Sequence, residues 1–202
     1  MANPNAPFGL RPSRYLDGTP WNGQTVRCYI SASYGTALFI GDPVCWSPTL
    51  AEKDATAKHP TINVASVASA SIIRGVITSF EITKTDLTKQ YSPASTEGWA
   101  HVCLASDDLI FQVRDDGDAT PSKVFPGQNG ILAAGSGGST ITGLSSFVLD
   151  GSTTPTTTQA HTIHIWGLAD IEDNELGDYA IWDVLINTNM NATGRFLGIT
   201  AA

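Results

Sequence analysis

The chain has 202 residues, with 11 Lys+Arg against 19 Asp+Glu, a net charge of −8, 42% hydrophobic and 15% charged residues. That length suits one domain, or one domain with an arm, and can bury roughly 70% of the unfolded surface. The acidic balance excludes a typical nucleic-acid binder, which needs clustered Lys/Arg to displace counterions from phosphates. A membrane protein is not expected either: no run nears the ~18 apolar residues of a spanning helix, and the opening MANPNAPFGLRP has no apolar leader segment.

Residues 1–24 carry Pro4, Pro7, Pro12 and Pro20 with Gly9, Gly18 and Gly23. Prolines at this density forbid a helix and leave few amide donors for a central strand. The segment reads as an extended arm. Its apolar content (Phe8, Leu10, Tyr15, Leu16, Trp21) exceeds that of an idle tail, so it lies against its own body or a neighbour.

From residue 25 onward the pattern is that of a single β-rich domain, 25–202. Val26, Cys28 and Ile30 alternate with Arg27, Tyr29 and Ser31, a half-buried strand. ALFIGDPVCW (37–46) is apolar on both faces but broken by Gly41 and Pro43, which suggests a kinked strand or a corner. SIIRGVITSFEI (71–82) looks similar, with Gly75 as the expected bulge. Two short runs follow at 100–104 and 109–114; in the second, Leu109, Phe111 and Val113 share one face. Further strands fit 145–149, 161–168 and 180–187. The last puts Ala180, Trp182, Val184 and Ile186 on one face.

No helical periodicity persists for three turns, and β-branched residues dominate the apolar positions. Clusters at 120–130, 134–140 and 150–159 separate the strands. The expected fold class is all-β: a β-sandwich or small β-barrel with an extended Pro-rich N-terminal arm.

Signatures of chemistry are missing. Gly135-Ser136-Gly137-Gly138-Ser139-Thr140 lacks the GxxxxGK[ST] and GxGxxG registers and reads as a turn. Neither GxSxG nor HExxH occurs. His161 and His164, three apart on a strand, point to opposite faces and cannot share an ion there; His59 and His101 lie in unrelated segments. Cys28, Cys45 and Cys103 form no CxxC pair and read as reduced, partly buried thiols of a cytoplasmically made protein. Asp115-Asp116-Gly117-Asp118 lacks calcium-loop spacing and reads as a solvated turn. Glu172, Asp173, Glu175 and Asp178 read as a second solvated loop. Of the tryptophans weighed as sugar platforms, Trp46, Trp166 and Trp182 fall in strands and are expected in the core; Trp99 is the expected exposed ring. No enzyme activity, cofactor or metal is indicated.

The stretches PFGLRPSRYLDGTPWNG, ALFIGDPV, GVITSFE, YSPASTEGWAHV, DDLIFQV and GLADIEDNELGDYAIWDVLIN occur in that order along most of the chain. Together they resemble a family of tailed-bacteriophage structural proteins, the head decoration or capsid cement proteins. The resemblance implies a β-rich, non-enzymatic virion protein on the outer face of an icosahedral head. It would be made in the bacterial host cytoplasm, bind the major capsid protein and associate with itself, with a homotrimer expected. The contacts are expected from the arm, through Phe8, Leu10, Arg11, Arg14, Tyr15 and Trp21, and from loop 170–178, through Glu172, Asp173 and Glu175. The rival readings are a tail-tube or baseplate protein, and a carbohydrate-binding adhesion module with a host glycan as partner.

Overall fold

The computed structural model describes residues 3–47, 58–67, 71–82, 87–118, 125–134, 137–152 and 155–189. Among them there is no helix. Twelve strands follow in chain order: β1 (Arg11–Tyr15), β2 (Val26–Ile30), β3 (Pro43–Trp46), β4 (Ile62–Val64), β5 (Gly75–Phe80), β6 (Gly98–Leu104), β7 (Leu109–Arg114), β8 (Asn129–Gly130), β9 (Leu132–Ala133), β10 (Val148–Leu149), β11 (Ile163–Leu168) and β12 (Ile181–Ile186). Every pairing between them is antiparallel. The protein is all-β, as its period-two patterning predicts.

One five-stranded sheet runs β2-β6-β5-β3-β4. Its two outer strands also meet: Tyr29 bridges Thr61 in parallel, and the Tyr29 N–H donates to Pro60 O at 2.9 Å. The sheet therefore curls nearly shut on itself, which removes exposed edges. Cys28, Ile30, Leu38, Val44, Ile62, Ile77, Ala100 and Val102 fill the inside, with all five strands contributing. The bulge in β5 falls between Ile77 and Ser79 rather than at Gly75. Gly75 serves close packing instead, since a Cβ there would run into Cys103 O on β6.

A second five-stranded sheet, β1-β7-β12-β11-β8, packs against the outside of this barrel. Between the two layers lie Phe111, Val113, Ile163, Ile165, Trp182, Val184 and Ile186 from the sheet, meeting Ile73, Val76 and Cys103 from the barrel. The arrangement is a sandwich in which one layer is itself rolled. The β9-β10 ribbon adds Leu132 and Leu149 to the same core. Strands β7 and β12 are buried along their whole length.

Residues 3–24 do not hang off this body. Arg11–Tyr15 is the edge strand β1, paired with β7, and Leu10 is buried in the shared core. The outer edge of β1 is blunted by Pro12 and by the returning chain: Tyr15 N–H bonds Thr19 O at 2.8 Å and Trp21 N–H bonds Ser13 O at 3.1 Å. Strands β1, β4, β8 and β9 were not expected from periodicity. Each is short or polar, so no alternation marks it.

The segment is fastened where Gly9 crosses Gly41. Leu10 N–H donates to Gly41 O at 2.9 Å, and both glycines have positive φ (73° and 96°). A Cβ at Gly9 would strike Gly41 O and the Ser145 side chain; one at Gly41 would strike Phe8 O. Next to the crossing, the buried Asp42 carboxylate accepts the Phe39 N–H at 2.8 Å. Burial pushes its pKa up to about 6, against hydrogen bonds from Ser145 and Phe39 that pull it down.

Gly9→Ala and Gly41→Ala are each expected to cost at least ~2 kcal/mol in urea unfolding, from left-handed strain plus steric overlap. Gly23→Ala, where φ is 82° but nothing lies within 4 Å, should cost only about 1 kcal/mol. The raised Asp42 pKa means that the folded state holds a proton the unfolded chain releases near pH 3.8. Its stabilising contribution is thus full below that pH and lost as pH rises through about 6. Asp42→Asn, which keeps an acceptor for Phe39, should flatten the stability profile between these values and be neutral or stabilising at pH 7.

Candidate functional site

Two sequence segments expected to make contacts, the N-terminal residues and loop 170–178, meet at one end of the second sheet. Asn3 Nδ2 donates to Glu175 O at 2.9 Å and Asp178 O at 3.1 Å, while its Oδ1 accepts the Glu175 N–H at 3.2 Å. A little further on, Arg114 Nε donates to Ala6 O at 3.1 Å and Arg114 Nη1 donates to Tyr179 O. The Phe8 ring lies beneath Arg11 at 4.9 Å and Arg114 at 5.9 Å. Arg114 therefore ties both segments to β7. Nothing in local sequence signals a contact across more than 170 residues.

The loop from Ala169 to Ala180 is held from inside. Asn174 Nδ2 donates to Ala169 O (2.8 Å) and Ile181 O (2.9 Å), and its Oδ1 accepts the Ile181 N–H (2.9 Å). Asp173 and Tyr179 sit at φ 62° and 60°, a conformation that costs energy for residues other than glycine and persists here because the surroundings fix it. Tyr179 N–H is bound at 2.7 Å by Asp115 Oδ1, which also takes Gly117 N–H at 3.0 Å. Asp115 Oδ2 accepts Trp182 Nε1–H at 3.0 Å. So the expectation of a solvated turn fails at Asp115, which is 2% exposed and organises the base of the loop. Burial raises its pKa, while the bonds from Trp182, Gly117 and Tyr179 act the other way. Turn-type composition hid a buried acceptor.

On this frame Glu172, Asp173, Glu175 and Asp178 are exposed, beside Ile171 and Leu176 at 37% and 41% exposure. The result is an acidic surface with two apolar side chains, on a loop tied at both ends.

The arm residues divide. Leu10 is 2% exposed and spent in the core, so it is not a surface contact. Tyr15 and Trp21 are half-buried and pack on the same core. Arg14 Nη2 reaches Asp183 Oδ2 at 2.6 Å, and Arg11 Nη2 reaches Gln112 Oε1 at 2.7 Å. Gln112 Nε2 bonds Asp183 Oδ1 at 3.3 Å and closes a polar chain across β1, β7 and β12. Burial raises the Asp183 pKa and Arg14 counters it. Of the six arm residues, Phe8 touches Arg114, the side chain that also binds Tyr179 at the end of the acidic loop, and Arg11 stacks on Phe8. A groove of about 790 Å³ opens alongside, lined by Phe8, Leu10, Pro12, Ile40, Ile77 and Leu144 among others.

Other expectations need correction. Trp166 is 50% exposed, on the face of β11 opposite Ile163 and Ile165, while Trp99 is half-buried within β6. His161 precedes β11, so strand alternation does not separate it from His164; both approach Asn129, His161 Nδ1 at its backbone O (3.2 Å) and His164 Nδ1 at its Oδ1 (2.7 Å). No group of three His, Cys, Asp or Glu among the described residues could hold a metal. Cys28, Cys45 and Cys103 are free; burial pushes the thiols of Cys28 and Cys103 up to about 12. Gly135 and Ser136 of the glycine-rich stretch lie outside the described residues.

Asn174→Ala removes three hydrogen bonds and should cost about 1–3 kcal/mol. Amide exchange at Ile181 should speed up by more than tenfold while that at Val113 changes only with global stability. No protein-family model matches the chain, and neither does any curated protein or solved structure.

Proposed function

We propose that this protein decorates an icosahedral phage head, binding the outer surface of the expanded shell through the joined N-terminal segment and loop 169–180. The observation that carries the reading is that join. Segments at the two ends of the described chain, tied by Asn3 and Arg114, form one fixed acidic surface. The likeness of the ordered sequence motifs to head decoration proteins points the same way. A fixed surface loses little conformational entropy on docking. Its carboxylates suit a basic patch on the major capsid protein, and further copies of the chain would assemble around a local symmetry axis. Binding only the assembled shell stabilises that shell by linkage. Repetition over the lattice multiplies a weak contact where each copy bridges more than one capsid subunit.

Deleting residues 1–24 cannot test this, because it removes β1 and Leu10 from the fold. The clean test is charge reversal on the exposed loop. Glu172→Lys with Glu175→Lys should leave the thermal midpoint within a few degrees. Co-sedimentation with undecorated expanded heads should weaken by roughly tenfold, with reduced salt dependence. The intact chain should saturate at a fixed ratio to the major capsid protein. Absence of binding to heads, or binding to purified tails instead, would sink the proposal.

A further inference from the structure

A different part of the molecule carries a second site. At one mouth of the barrel, where β5 ends and β6 begins, there is a hollow of about 200 Å³. Phe80, Glu81, Lys89, Tyr91, Glu97 and Trp99 contribute to its walls. Barrel mouths are recurrent small-molecule sites, and this volume is below that of drug-sized pockets, so it suits one small ring.

The Trp99 indole is held from several sides. The Arg27 guanidinium stacks 3.7 Å from the ring centroid, and Tyr29 and His59 meet it edge-on at 5.2 Å and 5.1 Å. Arg27 in turn grips both oxygens of Glu81, at 2.5 Å and 2.9 Å. That hydrogen bonding holds the Glu81 carboxyl below its ordinary pKa, so it stays an ionised acceptor. A fixed ring beside fixed acceptors is a preorganised arrangement.

The wall chemistry narrows the ligand. With Arg27 paired to Glu81 and Lys89 beside Glu97, two carboxylates balance two cations, so the hollow draws in neither an anion nor a cation by net charge. A wholly apolar molecule would strip water from Glu81 and Glu97 and return no hydrogen bond. An organic cation would compete with Lys89 and with Arg27 for the same carboxylates. What remains is a neutral molecule with one apolar face and several hydroxyl donors.

We propose that this hollow binds a single neutral pyranose ring, with the indole of Trp99 taking its C–H face and Glu81 and Glu97 accepting its hydroxyl protons. The site is separate from the acidic loop and does not depend on the capsid reading.

The test is an amide and indole NMR titration of the full chain with methyl β-glucopyranoside, methyl β-galactopyranoside and N-acetylglucosamine. Methyl β-glucuronide serves as the anionic comparison. At least one neutral sugar should give saturable shifts at the Trp99 indole N–H and the Gly98 amide, with Kd on the order of 1–10 mM. The glucuronide should bind at least threefold more weakly than its neutral counterpart. Glu97→Gln, on an exposed side chain, should weaken binding several-fold without moving the thermal midpoint, and Trp99→Ala should abolish it. Failure of all three neutral sugars to saturate, tighter binding of the glucuronide, or undiminished shifts in Glu97→Gln would each overturn the proposal.

Discussion

The contact between Gly9 and Gly41 is where the two layers of this protein become one. Two backbones meet there without side chains between them, closely enough that Leu10 N–H bonds Gly41 O directly. On one side, Gly41 N–H is bound by Ile77 O of the barrel. On the other, Leu10 enters the core and β1 closes the edge of the second sheet. Both residues adopt a conformation and a closeness that glycine allows and other residues resist. From this crossing the chain runs back through Phe8 and Ala6 to Asn3, and so to the acidic loop. The candidate surface hangs from it.

Buried polar groups then fix what the crossing positions. Arg114 and Asp115, adjacent in sequence, lie on and just past β7, and each reaches the chain around Tyr179. Arg114 takes the Tyr179 carbonyl and Asp115 its N–H, so two adjacent residues fix both polar groups of one loop residue. Asp183 similarly gathers Arg14 and Gln112. Such networks contribute little net stability when complete and cost a great deal when one partner is removed. Their effect is to give the loop one conformation.

Much of the body was legible in the sequence because half-buried strands alternate. Val26–Ile30, Leu109–Arg114 and Ile181–Ile186 were readable on that ground alone, as was the absence of a long helix among the described residues. β1 was hidden by Pro12, which sits on an edge where a missing donor does no harm. The short strands β4, β8 and β9 offer too few residues for any period to emerge. At the candidate site, the acidic residues 172–178 were visible as a cluster, but the partners that fix them were not. Asp115 has the composition of a turn, and Asn3 lies at the far end of the chain. Trp166 misled for a related reason: a tryptophan in a strand is usually core, but period two places this one outside. Long-range pairing leaves no mark on local pattern.

The central claim is that residues 3–16 belong to the folded body and present the acidic loop from there. Native-state hydrogen exchange tests it most directly, read at the Leu10 and Leu16 amides, which bond Gly41 O and Asp108 O. Both should exchange at or near the rate set by global unfolding, in step with Val113 and Val184 of the central strands. Exchange of Leu10 at the rate of an unstructured peptide, while Val113 and Val184 stay protected, would contradict the account and return the segment to the status of a free arm.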